Sequence, residues 1–222
     1  MQTIQVSKAT DMEVVEKVIA GQISLFELLI RRHNPALYKV GRSFGFRHHD
    51  VEDLMQESNV AAYLHLRQFA GRSSYKTWLT SIMINQCRAR AQKVSHKNEI
   101  TGDQALQENT VVMFTHDYKH DTDRSVINKE LGHILEQVIS QLPNDYSTVF
   151  TLRELTGLSV SETAEVLGIS EANVKVRLNR ARTMLKKQLA AFYSTEDIFE
   201  FNLIYCDKIV DQVMSRIQAL SN

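Results

Sequence analysis

Residues 159–187, SVSETAEVLGISEANVKVRLNRARTMLKK, decide how this chain is to be read. Ser159 with Glu162 three residues on is a capping box, in which each side chain satisfies the other residue's backbone N–H at a helix start. Val160, Ala164 and Leu167 make the buried stripe of a short helix, Gly168 a tight turn, Ile169 an apolar plug, and Ser170 the cap of a second helix. On that second helix Val174, Leu178, Ala181 and Leu185 repeat at intervals of 4, 3 and 4, which places them on one inward face. The opposite face carries Ala172, Val176, Asn179, Arg180 and Thr183, flanked by Lys175, Arg182 and Lys186 on one side and Arg177 on the other. The pattern is a helix-turn-helix with a basic outer face.

Such a face suits the major groove of duplex DNA. Arg180 can donate two hydrogen bonds to a guanine edge, Asn179 can pair with adenine, and Val176 can touch a thymine methyl. The cations at the flanks would hold phosphates and fix orientation without reading sequence. An ordinary solvated helix rich in arginine would not bring the turn glycine and both caps with it.

Charge extends the reading outward. The 222 residues carry 26 basic and 26 acidic side chains, so the chain is neutral as a whole. Yet residues 67–93 hold Arg67, Arg72, Lys76, Arg88, Arg90 and Lys93, and residues 172–191 hold Lys175, Arg177, Arg180, Arg182, Lys186 and Lys187, neither with an Asp or Glu. Residues 1–93 hold 13 basic and 8 acidic residues, and 94–128 hold 3 and 6. Residues 129–191 hold 8 and 7, and 192–222 hold 2 and 5. Two basic modules joined by an acidic connector, with an acidic tail, imply a grip on nucleic acid at two places.

Only 2 Pro and 8 Gly beside 43% hydrophobic residues predict an all-α chain of two small domains. The start MQTIQVSKAT lacks the charged and apolar regions of a signal peptide, and no apolar run is long enough to span a membrane. Cys87 and Cys206 are too few for a disulfide framework, so a reducing, cytoplasmic setting is expected.

Along the first module, residues 11–20 predict a helix with Val14, Val15, Val18 and Ile19 on its apolar side, stopped at Gly21. A helix follows from Ser24 with Phe26, Leu29 and Ile30 inward, and Pro35 either kinks it or starts a new one capped by Asn34. Asp50 is read as the cap of the next, running to about Arg67 with Asp53 at the capping-box position. A turn cluster over 69–74 precedes a helix from Tyr75 to about Val94. Residues 95–125 lose periodicity and read as a flexible connector. Leu131, Leu135, Val138 and Leu142 mark a helix ended by Pro143. Val149, Phe150 and Leu155 mark another, closed by Gly157. The expected divisions are 1–94, 95–128, 129–191 and an extension over 192–222, where Cys206, Val210, Val213, Ile217 and Leu220 form an amphipathic stripe that either folds back on the second module, the preferred reading, or is the handle for a regulator.

Taken together, these motifs resemble the extracytoplasmic-function (ECF) sigma factors of bacterial RNA polymerase over roughly residues 20–94 and 129–190. Leu142-Pro143, Val149 to Glu154 and Arg180-Ala-Arg182 fit the family's fourth conserved region. Asp50 to Glu57 and Phe69 to Asn85, including Thr77-Trp78-Leu79, fit its second. The resemblance implies that Asp53, Gln56 and Glu57, which share a helix face, dock on core RNA polymerase. It implies that Gly71, Arg72, Ser73, Ser74 and Tyr75 hold a base flipped from the minus-ten strand, with Asn85, Arg88 and Arg90 on the strand or its phosphates and Trp78 as scaffold. Ala172, Lys175, Val176, Arg177, Asn179, Arg180, Arg182 and Lys186 would bind the minus-thirty-five duplex, and the acidic connector would enter polymerase channels as a nucleic-acid mimic. An anti-sigma factor, membrane-tethered in the family, is the further partner expected.

The chain departs from the family pattern at Val176, where a small polar residue is usual, and at Thr163, where isoleucine is usual. A stand-alone helix-turn-helix regulator acting on duplex DNA without polymerase is the competing reading. His116 and His120, four apart, do not sit in a stable helical pattern and are not read as metal ligands. No phosphate loop, nucleophile set or carboxylate pair points to catalysis, so neither enzyme activity nor a cofactor is expected.

Overall fold

Thr10 opens the first helix of the structure, a computed structural model that describes residues 9–101, 132–190, 209, 210 and 212–214, with side chains in the first stretch as far as Val94. In α1 (Asp11–Ile19) the Thr10 hydroxyl accepts from the Glu13 N–H at 3.3 Å, and the Glu13 carboxylate accepts from the Thr10 N–H at 2.8 Å. Val14, Val15 and Val18 are buried, whereas Ile19, expected inward, is 38% exposed as the last residue of the helix. Gly21 then takes φ +104°, a turn that a side chain would strain.

A single 3₁₀ turn (Ile23–Leu25) leads into α2 (Phe26–Ser43), which passes through Pro35 unbroken. No new helix begins there. Asn34 is not a cap; its side-chain oxygen instead accepts from Asn59 at 3.1 Å. α3 (His48–Leu64) starts two residues earlier than the expected cap Asp50, which lies in its first turn, where negative charge suits the helix end. After a second 3₁₀ turn (Leu66–Gln68), Ser74 caps α4 by accepting from the Thr77 N–H at 3.1 Å. α4 (Tyr75–Thr101) runs past Val94, so the start of the expected connector is helical.

Helices α2, α3 and α4 pack against one another, and α1 lies against α2. Gly41 marks their closest meeting: a Cβ there would fall 2.6 Å from Val51 Cγ1 and 2.9 Å from the Met83 methyl. Helix α1 is fixed to α2 by Asp11, which takes Arg32 at 3.0 Å and His33 Nε2 at 2.8 Å.

The second group begins with α5 (132–140), where Val138 and, just beyond it, Leu142 are buried while Leu135 faces out. α6 (Asn144–Phe150) continues into a π turn (Thr151–Leu155), closed by Thr156 N–H donating to Thr151 O at 2.9 Å. The wider turn shifts the helical register, and Leu155, expected inward, is 39% exposed. Arg153 donates to the Leu158 carbonyl and so holds the loop after Gly157. α7 (Val160–Leu167) has the expected Ser159–Glu162 box, at 3.1 and 2.8 Å, and Gly168 takes φ +68°. α8 (Glu171–Leu189) follows. No strand occurs among the described residues.

The two groups are in direct contact within the compact body that ends at Leu185, α7 on α4 and α6 with its π turn on α2. One apolar cluster runs through both, from Val14 to Leu178. In the extension, Val210 and Val213 are helical and exposed; Cys206, Ile217 and Leu220 lie outside the described residues.

Thr163, where the family favours isoleucine, is fully buried with its hydroxyl making no hydrogen bond. Thr163→Val should therefore raise unfolding free energy by about 1 kcal/mol, read from the urea midpoint; a lowered midpoint would show the hydroxyl to be satisfied.

Burial holds the His33 imidazole below its ordinary 6.5, outweighing the opposite pull of Asp11. The unfolded chain then binds the proton more readily, so this group leaves stability unchanged above 6.5 and lowers it as pH falls from there through the folded-state pKa. Between about pH 7.5 and about pH 5.5, the wild type should lose more stability than His33→Gln. Equal losses would remove His33 as the cause.

Candidate nucleic-acid interface

Rotation of α8 is set by what it buries. Val174, Leu178, Ala181 and Leu185 are the buried residues of the helix, as their spacing requires. Ser170 caps it through the Asn173 N–H at 3.2 Å, and Ile169 packs on the core between α7 and α8. Ala172, Lys175, Val176, Asn179, Arg180, Arg182, Thr183 and Lys186 consequently stand exposed on the outer side. Val176 is 48% exposed, an apolar contact group held out in water.

The arginines of this helix are not equivalent. Arg177 is half-buried, donating to Asn173 at 3.0 Å and pairing with Asp145 at 3.0 Å. Arg182 pairs with Glu154 at 2.7 Å, and Arg180 reaches the Tyr146 hydroxyl at 3.4 Å. Asp145, Tyr146 and Glu154, on α6 and the π turn, therefore brace the outer face from behind. Sequence reasoning gave them no such part, although two acids just upstream of a basic helix were a usable signal. Each exposed pair contributes at most about 1 kcal/mol, so the arginines can be drawn to a stronger anion. Arg177 is correspondingly a brace first, not the free flanking cation that was expected.

In the first group, the loop before α4 presents Gly71, Arg72 and Ser74 to solvent, with Ser73 half-buried. Gly71 takes φ +66°, and the Ser74 hydroxyl is bonded to that of Thr77 at 2.7 Å. Tyr75 corrects the expectation placed on it. It is 2% exposed, its ring 5.4 Å from His33, 5.8 Å from Phe69 and 5.7 Å from Trp78. Burial pushes its phenol well above the ordinary range. Tyr75 is thus the pedestal under the loop, and Trp78, half-buried in the same cluster, is scaffold as expected.

Asn85 is exposed on α4. Arg88 donates to the Leu167 carbonyl at 2.9 Å, and Lys76 to the Thr156 carbonyl, both in the second group. Arg90 lies 3.3 Å from Glu57 and 3.8 Å from Asp50. Neither arginine is idle on the surface; both are already engaged within the chain.

On α3, Gln56 and Glu57 are exposed and Asp53 is half-buried. Val60, Tyr63 and Leu64 extend the same side as exposed apolar residues, Leu64 at 69%. That extension went unread in the sequence, where Val60 and Leu64 at an interval of four could equally have faced the core. No group of side chains able to hold a metal occurs among the described residues; His116 and His120 lie outside them. No described helix is long and apolar enough to cross a membrane.

With this geometry in place, the comparisons with known proteins converge. Residues 29–96 match the family profile of Sigma-70 region 2, and residues 132–185 match Sigma-70, region 4. The chain is 32% identical over 185 residues to the ECF RNA polymerase sigma-E factor of Haemophilus influenzae, covering 81% of this chain and 95% of that protein. It is 30% identical to the RNA polymerase sigma-H factor of Pseudomonas aeruginosa, covering 81% and 93%. Among solved structures, CnrH in complex with the cytosolic domain of CnrY is similar, with 26% identity and a TM-score of 0.57 over 82% of this chain and 99% of that one. The sigma factor RpoE of Bartonella quintana shares the fold, with 22% identity and a TM-score of 0.59 over 74% and 96%. A region 2 bundle whose α4 and preceding loop carry the first basic stretch, followed by a region 4 helix-turn-helix, places this chain among the ECF sigma factors of RNA polymerase.

Proposed function

We propose a division of labour between the two groups for this sigma factor. The outer face of α8, with Arg180, Asn179 and Val176 at its centre and Ala172, Lys175, Arg177, Arg182 and Lys186 around them, reads the minus-thirty-five duplex. Gly71, Arg72, Ser73 and Ser74 of the loop, with Asn85, Arg88 and Arg90 of α4, capture the minus-ten strand over the Tyr75 pedestal. Asp53, Gln56 and Glu57 dock on core polymerase. Residues 1–94 and 129–191 are the working domains, 95–128 the linker, and 192–222 an extension.

The observation that carries this reading is the sorting of α8: every aliphatic of its 4-3-4 stripe is buried while Arg180, Asn179 and Val176 are exposed together. That sorting also favours a base-reading helix over a merely cationic one. Opening a promoter breaks stacking worth roughly 1.4 kcal/mol per step, which captured bases and polymerase contacts would offset without nucleotide hydrolysis. The role is regulatory; polymerisation belongs to the core enzyme. CnrH is seen bound to the cytosolic domain of CnrY. By that likeness a sequestering anti-sigma factor belongs to the proposal.

Run-off transcription with purified core polymerase should yield specific transcripts only when this chain is added. Transcripts of equal amount without it would sink the assignment, and tight duplex binding with no effect on transcription would favour a stand-alone regulator. Arg180→Ala should lose about 1–3 kcal/mol of minus-thirty-five discrimination, measured by competition between promoter duplexes, while association with core polymerase stays intact. Equal loss of both would remove Arg180 from the reading face.

A further inference from the structure

A base captured by the loop before α4 has lost its stacking partners, and a site that holds one offers aromatic or apolar side chains in their place. The aromatics under this loop are packed on one another. Tyr75 and Phe69 are 2% and 9% exposed, and Trp78 is half-buried, its ring 5.0 Å from Phe69 and 5.7 Å from Tyr75. An exposed apolar group meets the loop from α1 instead. A Cβ built on Gly71 would lie 3.6 Å from the Met12 methyl and 3.9 Å from its sulfur. Outside the two adjoining residues, no other heavy atom lies within 4 Å of that position. Met12 is nevertheless 42% exposed. Beside the left-handed Gly71 there is thus a shallow opening, bounded by bare backbone and a thioether. Glycine at such a point lets the backbone approach a ligand closely.

Helix α1 holds that side chain in place. Thr10 and Glu13 close its first turn with a capping box around Met12. Asp11 is bound to Arg32 and His33 of α2, and Val14 and Val15 are buried in the core at 0% and 2% exposure. The helix also lies against the 3₁₀ turn (Leu66–Gln68) that leads into the loop. The acids on either side of Met12 are both engaged, Asp11 by Arg32 and His33, and Glu13 by the Thr10 N–H. Arg72, next to Gly71, stands exposed. All of α1 precedes the stretch 29–96 that matches region 2, so the family profile does not cover Met12.

We propose that Met12 is a further base-binding residue of this sigma factor: its thioether end is the apolar wall against which the base captured by Gly71 to Ser74 lies. Arg72 takes the adjoining phosphate. The inference rests on the strand-capture role proposed above for this loop. A methionine suits the task, being unbranched, polarizable and able to adjust to the face of any base while its own backbone stays fixed. The wall favours an unpaired base without choosing among bases. That choice falls to the hydrogen-bonding groups of the loop.

Holoenzyme assembled from core polymerase and the full chain tests this on a promoter that gives run-off transcripts. Its non-template minus-ten strand is offered intact and with an abasic site placed at each position in turn. Wild-type holoenzyme should lose affinity where the captured base is missing. Met12→Ala should bind the intact strand about three- to tenfold more weakly than wild type, yet bind the strand lacking that base equally well. Met12→Leu, apolar and of similar volume, should stay within about twofold of wild type on both strands. Binding to a minus-thirty-five duplex and the urea midpoint should not move in either variant. Equal weakening of Met12→Ala on intact and abasic strands, the mark of a displaced α1, would overturn the inference, as would no weakening at all. A wild type indifferent to abasic sites at every position would strike instead at the strand-capture role itself.

Discussion

Val174, Leu178, Ala181 and Leu185 leave α8 one orientation about its axis, because turning the helix would bring Lys175, Arg182 or Lys186 into an apolar core. A buried unpaired cation costs far more than the helix could recover elsewhere. The phase of the helix therefore follows from burial alone, and the outward set of Val176, Asn179 and Arg180 comes with it. The capping box of Ser159 and Glu162 and the left-handed Gly168 set where α7 begins and ends, so the angle at which α8 is presented is local chemistry as well.

The first group rests on a similar constraint at closer quarters. Gly41 lets α2 approach α3 and α4 until any side chain would strike Val51 and Met83. That approach lets the aromatic set of His33, Phe69, Tyr75 and Trp78 close beneath the loop that carries Arg72. Surface charge is then layered on a base that does not depend on it. Arg90 ties α4 to Glu57 of α3, so the helix proposed to face the strand and the helix proposed to face polymerase share an ion pair.

Periodicity carried far in the sequence, since it reports which side of a helix is apolar. It gave the inward stripes of α1 and α8, the caps of α7 and α8, and both basic stretches. It erred where a neighbour, and not the helix itself, decides exposure. Ile19 is the last residue of its helix, and Leu155 ends a π turn that no spacing rule anticipates. Tyr75 looked like a surface aromatic because its partners, His33 and Phe69, are distant in sequence or across a turn. Asp50 looked like a cap, but α3 begins at His48. Partners of Arg88, Arg177 and Arg182 were likewise illegible, since which acid or carbonyl meets a given cation depends on tertiary packing.

The separation of buried anchors from exposed positions on α8 bears on how such a protein can change over generations. Ala172, Val176, Asn179 and Thr183 take no part in the buried stripe, and substitutions at solvated positions of this kind cost within about 0.5 kcal/mol of stability. Under the proposed duplex-reading role, these positions can therefore be rewritten singly, without a compensating change in the interior. If the outer face reads promoters as proposed, a lineage carrying this helix can explore new ones while its architecture stands still.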